Sequence, residues 1–329
     1  MNKLELIFYA GGANGQKPCL RVPQLRHGAA TFIYLRLTLL AGCLCLLAGG
    51  CLGARYGDFD PALAVTPIPK FAVLYHPYGA SLDREIAAPV PDYSGWPQER
   101  MERDMLRMKR AGLDVVLVVL EPQDFENKQR LEQYERFLKL LATHPDWPRA
   151  AFWISGDEAA LRRKTAEHIV KWLIIQDAAH EEVLYRFKGR PLVVLSPEMR
   201  RWTSPHPGLI FRYTSPYRSQ WIWSEPHTNP VKLSPDRKQS LVYAGWRGNS
   251  EATASATDEW QLPREDGRTL KHGLRQAIPL WTNIICIESW NDYRNGSFVE
   301  PNALDGSKPY NILRDELEHL RRVTSQETR

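Results

Sequence analysis

The stretch 101-MERDMLRMKRAGLDVVLVVL-120 joins two kinds of local structure. From Pro97, at a first-turn position, the chain reads as a helix that ends at Gly112. Two residues later it gives six consecutive apolar residues, 115-VVLVVL-120. An apolar run without polar alternation is the pattern of a strand buried on both faces. A helix feeding such a strand is part of a strand–helix–strand unit and predicts a parallel sheet covered by helices.

The same alternation continues in both directions. The other apolar runs are 71-FAVLY, 150-AAFWIS, 191-PLVVLS, 208-GLIFRY, 220-QWIWS, 241-LVYAG and 283-NIICIES, which brings the strands to eight. Helices are predicted over 97–112, 127–142, 158–187, 268–281 and 309–322. Between the fourth and sixth strands the connections are short and Pro-rich. Eight strands alternating with helices predict an α/β protein of the (β/α)8 barrel type over residues 70–322, followed by a tail at 323–329. The rival is an open doubly wound sheet, which places a Gly-rich phosphate loop after its first strand. Here the first strand is followed by 76-HPYGASLD-83, with a single Gly.

Ahead of the barrel lies a different composition. Residues 1–50 hold five Lys/Arg and one acid, which leaves 38 basic and 37 acidic residues in the remainder, a net of +1. The basic pI is therefore a property of the leader, and no basic face for nucleic acid is expected. The leader reads as a signal peptide over 1–51: Arg36 closes a positive region, Leu37–Leu47 is apolar, and Ala48-Gly49-Gly50 precede Cys51. The apolar segment is too short to span a bilayer. The small-residue run ending at Cys51 resembles the bacterial lipobox, in which the Cys is lipidated. Two alternatives are a second such run at 40-LAGC-43 and plain secretion with cleavage near Ala54. Residues 52–69, with Asp-Pro and Thr-Pro-Ile-Pro, read as an extended tether. The predicted location is thus the cell envelope, with the protein held on a membrane by its N-terminal lipid, or secreted if unmodified. Four of the five cysteines lie at or before Cys51, so the body keeps only Cys286, read as a small core residue. No metal-ligand spacing and no cofactor motif is visible, and a monomer is expected.

In a barrel of this kind the chemistry sits where the strands end. Strand one ends at Tyr75, His76 and Tyr78, strand two at Glu121, strand three at Asp157 and Glu158, and strand four at Glu198. The sixth strand carries Trp223 and ends at Glu225, Trp246 follows the seventh, and the eighth leads into 286-CIESWNDYRNGSFVEPN-302. Carboxylates among aromatics suit glycoside hydrolysis, which needs a proton donor and a second carboxylate but neither metal nor cofactor. Each acid also has a plainer reading. Glu158 opens a helix and can serve its dipole, Glu121 and Glu198 adjoin prolines in loops, and His76 can be a hydrogen-bonded core residue.

Ser289-Trp290-Asn291-Asp292-Tyr293, followed by Gly296 and Val299-Glu300-Pro301, resembles the last-strand motif of glycoside hydrolase family 99. Its W-N-D-Y form also resembles family 71, the α-1,3-glucanases. The segments 101–120 and 168–195 are similar to the family as well. The resemblance implies a (β/α)8 barrel acting on internal α-mannosidic linkages, with an acid pair matching Asp292 and Asn295. At Asn295 the sequence departs from the pattern, because an amide has no acid proton to give. Either Glu300, Glu288 or Glu225 then supplies the second carboxylate beside Asp292, or the chain binds carbohydrate without cleaving it. The resemblance and the strand ends together give a substrate-binding set of Tyr75, His76, Tyr78, Asp157, Trp223, Glu225, Trp246, Trp290, Asn291, Tyr293 and Asn295. The expected activity is hydrolysis of an α-linked oligo- or polysaccharide of mannan or glucan type. The alternative is a non-catalytic carbohydrate-binding lipoprotein on the same scaffold.

Overall fold

The structure, a computed structural model, describes residues 69–78, 87, 89–91, 95–154, 163–180, 183–196, 206–214, 229–247, 260–280, 282–293 and 295–327. The signal peptide, Cys51, the tether up to residue 68, and Asp157, Glu158, Glu198, Trp223 and Glu225 lie outside the described residues.

The strands are β1 (Lys70–Tyr75), β2 (Val115–Leu120), β3 (Arg149–Ile154), β4 (Arg186–Phe187), β5 (Arg190–Leu195), β6 (Ile210–Tyr213), β7 (Val231–Leu233), β8 (Gln239–Tyr243) and β9 (Ile284–Glu288), followed by β10 (Asn291–Asp292) and β11 (Ser297–Phe298). The helices are α1 (Gln98–Arg110), α2 (Lys128–Ala142), α3 (Arg163–Ala179), α4 (Arg268–Ala277) and α5 (Lys308–Glu327). Seven strands pair in parallel in the order β6-β5-β3-β2-β1-β9-β8. That is the strand order of a (β/α)8 barrel. The run 220-QWIWS falls in sequence between the two end strands, β6 and β8, and lies outside the described residues.

Two layers of packing hold this sheet. Phe71, Val73, Val116, Val118, Phe152, Val193, Ile285 and Ile287 face the helices and pack with Met101, Met105, Phe137, Leu270 and Leu317. The alternate residues Ala72, Leu74, Val115, Leu117, Leu192, Val194, Leu241, Ile284 and Cys286 pack against one another on the other face. Strand side chains alternate with period two, so a strand buried on both faces must be apolar throughout. Cys286 is fully buried within the inner layer, and burial pushes its thiol up. It is a core residue, as its apolar surroundings in sequence imply.

Several elements differ from the expectation. The helix predicted over 158–187 stops at Ala179, and Arg186–Phe187 form β4, antiparallel to β5. Lys188 (φ 52) and Gly189 (φ 77) make the turn between them. Positive φ at both central residues is the twist that joins two strands through a two-residue loop. Likewise β7 was not expected; it pairs antiparallel with β8. The last helix runs five residues past Arg322, to Glu327.

Candidate active site

β9 delivers the chain to the site. Ile284 and Cys286 face the inner layer, Ile285 and Ile287 the helices, so Glu288 faces inward at the C-terminal end of the strand. Tyr243, its partner in register on β8, belongs to the same inner layer. A cis peptide joins Glu288 to Ser289. The chain then folds into the β10–β11 hairpin, with Asn291 opposite Phe298 and Asp292 opposite Ser297. Gly296 (φ 68) lies in its turn.

This hairpin is tied at both ends. The Asn291 amide donates to the His76 carbonyl and its oxygen accepts from the His76 N–H, both at 2.9 Å. The ends of β1 and β9 are thereby locked together. Ser289 Oγ donates to the Ser297 carbonyl and accepts from the Asp292 N–H, both at 2.7 Å. Asp292 Oδ1 accepts from the Asn295 N–H (3.2 Å), and Oδ2 from the Asn295 side-chain amide (2.7 Å). The departure from the family pattern thus has a structural role here: Asn295 holds the carboxylate of Asp292.

Glu288, Asp292 and His76 form one electrostatic unit. Burial raises the Glu288 carboxyl well above the ordinary range, and the neighbouring Asp292 charge raises it further. Its Oε2 has no hydrogen-bond partner among the described residues. Burial lowers His76, and Asp292 opposes that shift. His76 Nε2 is buried and also lacks a partner among the described residues. A buried carboxyl raised in this way beside a carboxylate held by hydrogen bonds is an arrangement that can pass a proton to a leaving oxygen.

Other expected site residues lie in different surroundings. Tyr75 is fully buried in the strand–helix layer, where its hydroxyl donates to Asp104 (2.9 Å) and accepts from the Trp96 indole (2.8 Å). Trp290 packs in that same layer, edge-on to Tyr310. Tyr293 donates to Glu300 Oε2 (3.1 Å), and Glu300 Oε1 lies 3.9 Å from Arg103 of α1. Glu300 is therefore a buried acid with a hydroxyl and a guanidinium against it. Tyr78 stacks on Arg130 and donates to Gln133 (2.7 Å). Trp246 lies in the inner layer, edge-on to Tyr243.

Sequence reasoning missed Arg264. It is buried, and it donates to the carbonyls of Gly296 (3.0 Å) and Phe298 (2.8 Å), pairs with Asp305 (2.8 Å) and covers the Phe298 ring. Gly245 makes room for it, since a Cβ there would lie 2.4 Å from Arg264 Cγ. Arg264 clamps the hairpin that carries Asp292, yet it stands in no motif. Trp260 was missed as well; its ring packs over Gly296.

No protein-family model matches the chain, and no curated protein does. Solved structures do. The GH99 endo-alpha-mannosidase from Bacteroides thetaiotaomicron in complex with BIS-TRIS-propane superposes with a TM-score of 0.59 at 12% identity, over 78% of this chain and 98% of that one. This chain has the GH99 fold. A second structure of the enzyme from that organism gives 0.54 at 12% identity, over 77% and 97% of the two chains. A protein described as glycoside hydrolase-like gives 0.54 at 13% identity, over 77% and 95%. In the GH99 fold, as in other (β/α)8 barrels, the C-terminal strand ends are the face that carries chemistry. Glu288, His76 and the Asp292 hairpin stand on that face.

Proposed function

We propose that the protein is an exported glycoside hydrolase acting on an α-linked oligo- or polysaccharide, with Glu288 as proton donor and Asp292 as the second carboxylate. The observation that carries this reading is Glu288, an inward-facing acid raised by burial and placed against Asp292. In the step envisaged, the Glu288 proton goes to the glycosidic oxygen as the bond from that oxygen to the anomeric carbon breaks. Positive charge grows on the sugar ring, and Asp292 stabilises it or activates the incoming water. The lowered His76 stays neutral near pH 7. The α-mannan class of substrate is supported by the fold shared with endo-alpha-mannosidases.

One observation favours carbohydrate binding without cleavage. Both oxygens of Asp292 are occupied by Asn295, which suits a carboxylate that positions a ligand. A panel of α-mannan and α-glucan oligosaccharides, assayed for both binding and reducing-end release, separates the two. New reducing ends are expected; binding with no release on any member would reject hydrolysis.

Export rests on the apolar segment ending at Cys51. The mature protein in a bacterial host is expected to begin at a lipid-modified Cys51 and to partition with membranes, several acyl chains giving firm anchoring. Mass spectrometry of the mature N-terminus tests this, and any other first residue refutes it.

A further inference from the structure

The end of the barrel opposite the candidate site is where the strands begin, and it is basic. β1 opens with Lys70, β3 with Arg149 and β5 with Arg190, and Arg237-Lys238 lead into β8. Lys188 adds a further cation in the turn between β4 and β5. The acids at this end are largely engaged. Asp114 pairs with Lys70 and Arg321, and Asp146 with Lys109. The Asp236 carboxylate accepts from the Ser234 hydroxyl and the Lys238 N–H. Arg149, Lys188, Arg190, Arg237 and Lys238 have no ion pair among the described residues, and all but the half-buried Arg149 are exposed. Arg149 lines a cavity of about 320 Å³ at this end, together with Trp147 and Lys70. A body with a net charge of only +1 thus presents a surplus of unpaired cations on one face.

We propose that this face docks on a membrane surface of anionic phospholipid headgroups and turns the candidate site away from the bilayer. Charge complementarity is the first ground. Unpaired cations near such a surface each add roughly fivefold to binding, and the exposed ones named here hold no ion pair among the described residues. The course of the chain is the second. It enters β1 at Lys70, on this same face, after residues 52–69, which span at most roughly 65 Å when fully extended. Cys51 stands at the far end of that segment, so a membrane-held N-terminus keeps this face within reach of the bilayer. The choice of partner rests on the export reading, while the basic face stands independently of it.

The test uses the full chain carrying Cys51→Ser, which cannot be acylated, with vesicles of phosphatidylcholine alone or mixed with phosphatidylglycerol. Binding to the anionic vesicles is expected to be at least tenfold tighter. That preference should fall towards unity in high salt, and in the combined Arg149→Gln, Lys188→Gln, Arg190→Gln, Lys238→Gln variant. These are mainly exposed positions, so the variant should keep the parent's thermal unfolding, and the salt response of the unsubstituted chain gives an independent reading. Equal binding to both vesicle types overturns the proposal, as does a combined variant that keeps the preference. Equally tight, salt-sensitive binding to duplex DNA would overturn the assignment to lipid. A chain lipidated at Cys51 in cells but indifferent to anionic vesicles would refute docking alone. If the unsubstituted chain proves unlipidated at Cys51 in cells while the Cys51→Ser chain prefers anionic vesicles, the anchor alone is refuted.

Discussion

Glu288→Gln is expected to lower turnover by about 10²–10⁴ and, at the same time, to stabilise the fold at neutral pH. Both effects have one cause. An unfolded Glu titrates near about 4.3, whereas burial and the Asp292 charge raise the native carboxyl well above that. Between the two values the native state holds a proton that the unfolded state has released. Stability therefore falls as pH rises from the unfolded value towards the native one. Gln carries no titrating group, so the variant loses this decline and gains relative to the parent as pH rises. Turnover in the parent should fall on the alkaline side, where Glu288 gives up the proton it must donate. The checks are a pH–rate profile and thermal unfolding of both proteins from acid to neutral pH. Full turnover in the variant would remove Glu288 from the chemistry. A parallel pH dependence of stability in the two proteins would show that its carboxyl is not raised.

The barrel strands were legible because they are apolar on both faces, a composition that an amphipathic strand does not share. Short elements defined by pairing were not legible. Arg186–Phe187 read as the end of a helix because nothing local distinguishes two strand residues from a last turn, and only Lys188-Gly189 marks the hairpin. The direction of side chains at the strand ends was equally hidden. Tyr75 and His76 are neighbours, but a shift of one residue moves a strand side chain to the opposite face. Tyr75 therefore meets Asp104 under α1 while His76 meets Asp292. Trp290, two residues past Glu288, would share its face if the strand continued, but β9 ends at Glu288 and Trp290 packs instead against Tyr310. Glu300 was one of the acids that could stand in for the missing carboxyl at Asn295, and sequence could not show that its neighbours are Arg103 and Tyr293. Arg264 could not be found from sequence at all. Its function in the hairpin is to satisfy two backbone carbonyls 32 and 34 residues away, and backbone acceptors carry no sequence signature.

Asp292→Asn is expected to keep the fold and to cut turnover by several orders of magnitude, on the scale of losing an acid–base or nucleophilic group. The side chains are nearly isosteric, and the amide oxygen can still accept from Asn295, so the hairpin should survive. The substitution also removes the negative charge that raises Glu288. The alkaline limb of any residual activity should then move to lower pH, a shift that a purely structural defect would not produce. Asn295→Glu is the companion. It replaces the amide that donates to Asp292 Oδ2 with a second carboxylate at that place. Like charges at such a distance cannot both ionise readily, so one carboxyl is pushed up and Asp292 loses its holding hydrogen bond. In a working hydrolase this impairs turnover. In a carbohydrate-binding protein that has lost cleavage, it restores the acid spacing of the family motif and should create detectable reducing-end release. The sign of the change in Asn295→Glu, measured beside Asp292→Asn, therefore decides between the two readings. Unimpaired turnover in Asp292→Asn would remove this hairpin from the chemistry altogether.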